Sequence, residues 1–243
     1  MAFLGGDGSF EALIESLQAR IETLLHLLQS MEQSPDAMNG FQAIDHIGHD
    51  WQTILRGWNS DQIMHNFEFH SHLVASVRRL LLPALNQQLA ALASAEQLIP
   101  QTRAESFYPL IFDTIESLAM LRGLSTNAAV ISSCGADSHT RLEYLLKLIP
   151  QMNESLQTAL QSFSQRFQAT PMAQIRGEQR MELHRFLISI RMAVLEQHPI
   201  TAGSTELFQL STGVIDAYWL TFDKGIRSLE SSMLDQLLDG RSS

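Results

Sequence analysis

Cysteine is nearly missing from this 243-residue chain, where Cys134 stands alone. A single thiol excludes an internal disulfide framework and fits a reducing compartment. Positive charge is scarce too: 16 Lys and Arg face 26 Asp and Glu, for a formal net charge of −10. No basic run stands out to contact phosphates, so nucleic acid is not an expected partner. Long apolar runs are lacking, and Leu80-Leu81-Leu82-Pro83 is far short of the roughly 18 apolar residues that a membrane span requires. No membrane partner is expected. The opening Met1-Ala-Phe-Leu-Gly-Gly-Asp-Gly8 has no basic n-region and no adequate apolar core for a signal peptide, which makes the cytoplasm the expected address. Alternating Val/Ile/Thr runs joined by Asn-Gly or Asp-Gly hairpins are absent, which argues against a sheet. Phosphate-cradling glycine loops, nucleophile elbows and zinc-finger spacings are missing as well, so neither an enzymatic activity nor a cofactor is expected.

What the chain does have is helical periodicity from end to end. Its hydrophobic content of 45% against 17% charged residues is enough to bury a sizeable core. The first helix is predicted from about Ser9 to Glu32, with Leu13, Leu17, Ile21, Leu24, Leu28 and Met31 on one face. Ser34-Pro35-Asp36 stops it and starts a second, which carries Phe41, Ile44, Ile47, Trp51 and Ile54 and breaks near Gly57. A third runs from Ser60 or Asp61 to about Ser94, with a kink expected at Pro83.

After Ile99-Pro100-Gln101, the capping-box pattern Thr102-Arg103-Ala104-Glu105 opens a fourth helix that ends near Ser132-Ser133-Cys134-Gly135. Asp137 or Ser138 caps a fifth, with the stripe Leu145, Ile149, Met152, Leu156, Phe163 and Phe167. Thr170-Pro171 begins a sixth that reaches about Gln197 on the stripe Leu183, Leu187, Ile190 and Val194. Beyond Pro199–Ser204 the last helix carries Phe208, Ile215, Trp219, Phe222, Ile226, Leu229, Met233 and Leu237. The expected fold is all-α with about seven long helices in an up-down antiparallel bundle. Residues 101–243 form its four-helix body, and residues 1–100 pack on or cap it.

The fourth helix holds the most informative stretch. Ile111, Ile115, Leu118, Arg122, Ser125 and Ala129 share one face, so an apolar stripe runs into an arginine and then into small residues. Gly123 beside the arginine lets another backbone come close. A cation on a core face needs a counter-charge, from the protein or from a ligand. Counting from the turns at about 1.5 Å per residue places Arg122, Arg191, Lys147 and Ser211-Thr212-Gly213 near one level. Two readings stay open. Asp216 pairs with Arg122 or Arg191 as a structural ion pair. Alternatively, the two arginines converge on a planar oxyanion such as nitrate, nitrite or a carboxylate, with the Ser125 or Thr126 hydroxyl completing its shell.

The segment Leu118-Ala-Met-Leu-Arg122-Gly-Leu-Ser125-Thr126, ending in Ser133-Cys134-Gly135, resembles the first core helix of nitrate- and nitrite-sensing (NIT) domains. That family carries an Arg-Gly step followed by Ser or Ala, then a Gly-containing turn and a long helix. Leu187-Ile-Ser-Ile-Arg191-Met-Ala-Val194, followed by Ile200-Thr201-Ala202 and Ser211-Thr-Gly-Val-Ile215, resembles a later stretch of the domain. The matches come in order and cover about residues 105–235. The resemblance implies a sensor of small anions with Arg122 as a ligand residue, signalling through an output that a separate partner protein is expected to supply. A homodimer stands open.

Other chemistry is weighed against this. Asp45, His46, His49, Asp50, His65, Glu68, His70 and His72 place Asp45–His49, His46–Asp50 and Glu68–His72 four apart on helix faces, a spacing that metal sites in bundles use. Without a Glu-x-x-His motif or a second carboxylate set, these histidines read first as ordinary helix residues. Cys134 near His139 is a weaker candidate for a reactive thiol. A helical adaptor that binds a partner protein and no small ligand is the remaining alternative.

Overall fold

The computed structural model describes residues 11–31, 41–57, 63–96, 106–166, 176–196, 200 and 203–239. Among them are seven α-helices, one π-helical turn and no strand, which makes the fold all-α. The helices are α1 (Glu11–Met31), α2 (Phe41–Gly57), α3 (Ile63–Glu96), α4 (Phe107–Val130), α5 (Ala136–Arg166), α6 (Arg176–Ile190) and α7 (Ser204–Asp239). The π turn, Arg191–Leu195, continues directly from α6. None of the described helices is long and apolar enough to cross a membrane. The chain divides into two compact units, Met1–Leu81 and Leu82–Ser243, with the division inside α3. The boundary expected near residue 100 and the Thr102–Glu105 capping box lie outside the described residues, as does Thr170-Pro171.

In the first unit α2 buries the stripe its spacing predicts. Ile44, Ile47, Trp51 and Ile54 are all nearly inaccessible. The leucine face of α1 is a different matter: α1 packs on α2, yet Leu17 and Leu24 are 45% and 56% exposed.

In the second unit α4 is buried almost all round, as befits a helix apolar on every side. It packs against both α5 and α7, and α6 packs on α7. Its expected stripe is in place, with Ile111, Leu118 and Ser125 wholly inaccessible. The helix begins at Phe107 with Ser106 at the N-cap, and no side-chain cap bond is made there. α5 starts at Ala136, so Asp137 lies within the first turn and favours the positive end of the helix from there, rather than capping it. α5 also runs on through Pro150, whose missing N–H removes the ladder donor to Leu146.

The buried face of α7 differs from the aromatic one expected. Leu207, Ser211, Val214, Tyr218 and Thr221 face inward together with Ile215 of the expected stripe, while Trp219 is 42% exposed and Phe208, Phe222 and Ile226 are half-buried; the side chains of Leu229, Met233 and Leu237 lie outside the described ones. The physical reason is closeness of approach. Ser211 and Thr221 are short, and each donates its hydroxyl to its own helix, to Leu207 O at 2.7 Å and Ala217 O at 2.9 Å. They therefore fill an inward face without leaving polar atoms unpaired. The bulky rings go to the margin, where Phe112, Trp219 and Phe222 pack edge to face or tilted at 5.0–6.0 Å.

α4 ends in a left-handed turn at Ser132, with φ of 52°. The Ser132 N–H bonds Ala129 O at 3.3 Å and the Ser133 N–H bonds Ala128 O at 3.0 Å, the paired bonds of a Schellman cap. That position favours glycine, because a left-handed conformation costs a β-carbon-bearing residue about 1–2 kcal/mol. Ser132→Gly is expected to raise stability by about 0.5–1 kcal/mol, after offsetting glycine's larger unfolded-state entropy. Thermal denaturation checks it, and an unchanged or lower midpoint would contradict the cap assignment.

Candidate functional site

The site is built on the facing sides of α4 and α7. Ser125 Oγ donates to Leu121 O at 2.8 Å and to Arg122 O at 3.1 Å, and Ser211 Oγ makes the matching bonds to Leu207 O and Phe208 O on α7. Both hydroxyls are thereby committed to their own helices. Small, self-satisfied side chains at this level hold the two helices close and bring Arg122 against α7.

Arg122 is half-buried. Its Nη1 donates to Thr212 Oγ1 at 3.1 Å, and its Cζ lies 5.0 Å from the centre of the Phe208 ring. The register estimate that set Arg122 opposite Ser211-Thr212-Gly213 thus corresponds to a direct hydrogen bond. Of the five N–H donors of a guanidinium, Thr212 takes one, and it brings no negative charge. Asp216 is exposed and forms no ion pair with Arg122 within 4.0 Å; among the described residues no carboxylate does. Burial pulls the Arg122 pKa down, and the Asp216 charge opposes that from a distance without cancelling it. An arginine stays charged regardless, so the downward shift registers the strain of a cation held in poor solvent.

One turn along the same face sits Thr126, 2% exposed, whose hydroxyl has no hydrogen-bond partner. Gly123, between them in sequence, is half-buried. Arg122, Ser125 and Thr126 therefore share one turn of α4, with Ser125 already bonded and Thr126 not. Arg191 is placed differently. It is exposed and opens the π turn, where it lines a cleft with Lys147 that does not include Arg122. Nothing in Arg191-Met-Ala-Val-Leu195 signals a π turn, since it contains neither Pro nor Gly.

The histidine-rich helices pair across rather than along. Asp50 on α2 lies 3.5 Å from His72 Nε2 on α3 and accepts a hydrogen bond from Ser76 Oγ at 3.1 Å, and Arg79 donates to the same Oγ at 2.9 Å. Asp45, His46, His49, His65, Glu68 and His70 are exposed. Among the described residues, no three His, Cys, Asp or Glu side chains are grouped to hold a metal ion. Cys134 contacts Gly135 O at 3.9 Å, and burial raises its thiol pKa, the wrong direction for a thiolate nucleophile.

The residues that sequence reasoning passed over are polar and buried. Tyr218 Oη donates to Asn153 Oδ1 at 2.8 Å, and Gln179 Nε2 donates to Ala217 O and Thr221 Oγ1 at 2.7 and 2.9 Å. These contacts tie α7 to α5 and α6 below the Arg122 level. No family model matches the chain, and neither does any curated protein or solved structure.

Proposed function

We propose that the chain is a cytoplasmic helical sensor that holds a small oxyanion, of the nitrate, nitrite or carboxylate class, at Arg122, and signals through a separate partner protein. The observation that carries this reading is the half-buried Arg122 guanidinium, held by Phe208 and one neutral hydrogen bond, with no carboxylate in ion-pair contact among the described residues. A half-buried cation with no carboxylate in contact keeps part of its desolvation cost, and an anion that accepts its remaining N–H donors reduces it. Thr126 supplies a buried hydroxyl, still unpartnered, one turn away. The resemblance of Leu118–Thr126 to NIT domains points to the same ligand class. The helices α4 to α7 are read as an up-down antiparallel bundle, which the packing of α4 on both α5 and α7 and of α6 on α7 supports.

The test is thermal denaturation with millimolar nitrate, nitrite or acetate against chloride at fixed ionic strength. A ligand at about 100 times its Kd adds about 2.7 kcal/mol. For a domain of this size that raises the midpoint by about 5–10 °C. Arg122→Ala is expected to abolish the rise while leaving the helical circular dichroism intact. The proposal fails for these ligands if wild type does not shift, or if the shift survives the substitution.

A second reading, an adaptor without a small ligand, is favoured by the exposed Leu17, Leu24 and Leu27 of α1. Its mark is a partner complex whose affinity does not change with any of these anions.

A further inference from the structure

A shallow cleft of about 250 Å³ opens between α5 and the π turn, away from the residues that hold Arg122. From α5 come His139, Glu143, Leu146 and Lys147, and from the π turn and its end come Arg191, Leu195 and Glu196. The α5 set falls at i, i+4, i+7 and i+8, a single stripe along one face. The other wall depends on the π geometry. The Glu196 N–H bonds Arg191 O at 3.0 Å, closing the turn at i+5, so Leu195 and Glu196 flank the position above Arg191. With α-helical winding Glu196 would stand about 140° round from Arg191 and leave the cleft.

The charges in this cleft are mixed, and among the described residues none of them is ion-paired. Lys147 and Arg191 are cationic, Glu143 and Glu196 anionic, and no two of them lie within the 4.0 Å of an ion pair. Leu146 is buried and Leu195 half-buried, which gives the cleft an apolar floor. A simple anion meets repulsion from two carboxylates here, and a simple cation meets it from two cations. A molecule that carries both charges beside an apolar group satisfies both pairs.

We propose that this cleft binds a zwitterion of the amino-acid class. The α-carboxylate is taken by Arg191 and Lys147, the ammonium by Glu143 and Glu196, and an apolar side chain rests on Leu146 and Leu195. The site does not rest on the Arg122 reading. It explains why a π turn, a rare element often found where helices serve a function, interrupts the end of this helix.

Isothermal titration of the full chain with L-leucine, N-acetyl-L-leucine and L-leucinamide tests it. Leucine is expected to bind, and the two analogues, each lacking one charge, to bind at least about tenfold more weakly, a loss of about 1.4 kcal/mol. Arg191→Ala and Glu196→Gln are each expected to weaken leucine binding by at least about tenfold. Both residues are exposed, so the helical circular dichroism should be unchanged. The same titrations in the Arg122→Ala background remove any carboxylate bound at the oxyanion site; leucine binding and its loss in the two analogues are expected to persist there, which separates the two sites. The proposal is overturned if leucine gives no binding heat at millimolar concentration, if either analogue binds as tightly as leucine, or if both cleft variants bind leucine like wild type.

Discussion

Phe163→Ala is expected to destabilise the Leu82–Ser243 unit by about 3–5 kcal/mol, the range for removing a fully enclosed aromatic ring. Phe163 is wholly inaccessible. Its ring stands 4.8 Å from that of Phe107 and 5.9 Å from that of Tyr108, the first and second residues of α4. From Tyr108 the packing continues to Phe222 at 5.7 Å, and from there to Phe112 and Trp219. One ring on α5 thus touches the start of α4, and through it the margin of α7. Deleting it loses the transfer energy of the ring and leaves a cavity that three helices cannot easily close. Thermal unfolding followed by circular dichroism should show a midpoint lower by roughly 6–20 °C for a unit of this size. A loss below about 1 kcal/mol would mean that the cluster collapses freely and is not a packed core.

The buried faces of α2 and α4 were legible from periodicity. α2 buries Ile44, Ile47, Trp51 and Ile54, and α4 buries Ile111, Ile115 and Leu118, as their spacing requires. α7 was not legible in the same way. It carries two candidate faces one residue apart, and hydrophobicity alone favours the one with Phe208, Trp219 and Phe222. Packing buried Ser211 and Thr221 along with Ile215; both hydroxyls bond their own helix, and Thr221 also accepts from Gln179 on α6. Sequence patterning weighs apolar area; it does not weigh the clearance between two backbones. The leucines of α1 show the converse limit, since a periodic apolar stripe states what a helix can bury, not what is there to cover it.

At the candidate site, counting residues from turns at about 1.5 Å each located the Arg122–Thr212 contact, since both lie within continuous α-helices. The same count put Arg191 beside Lys147, and these do line one cleft. What counting could not supply is the direction of each side chain. The i+5 hydrogen bond at Arg191 changes the angular step, and the extra residue in the turn leaves no mark in composition. Ser125, one of the two hydroxyls expected to complete an oxyanion's shell, gives its proton to Leu121 and Arg122 carbonyls instead, a choice local to the backbone and invisible to spacing.

Two buried tyrosines should respond in opposite senses to the same substitution. Tyr218 Oη donates to Asn153 Oδ1 at 2.8 Å, both groups being buried. Tyr218→Phe removes the donor and strands the Asn153 acceptor in a desolvated place, for an expected loss of about 1–3 kcal/mol. Tyr108 is equally enclosed, but its hydroxyl has no partner. Tyr108→Phe therefore removes an unsatisfied polar atom and keeps the ring contacts, and it should be neutral or stabilising. Burial raises the pKa of both phenols, so neither ionises near neutral pH and charge does not confuse the comparison. The pairing itself is isolated by Asn153→Leu in the Tyr218→Phe background. With donor and acceptor both gone, the double variant should recover much of the stability lost by the single one. Chemical denaturation of wild type, the three single variants Tyr108→Phe, Tyr218→Phe and Asn153→Leu, and the 153/218 double variant checks it. Equal losses for the two tyrosine variants, or strictly additive losses at 153 and 218, would show that the Tyr218–Asn153 bond does not hold α7 to α5.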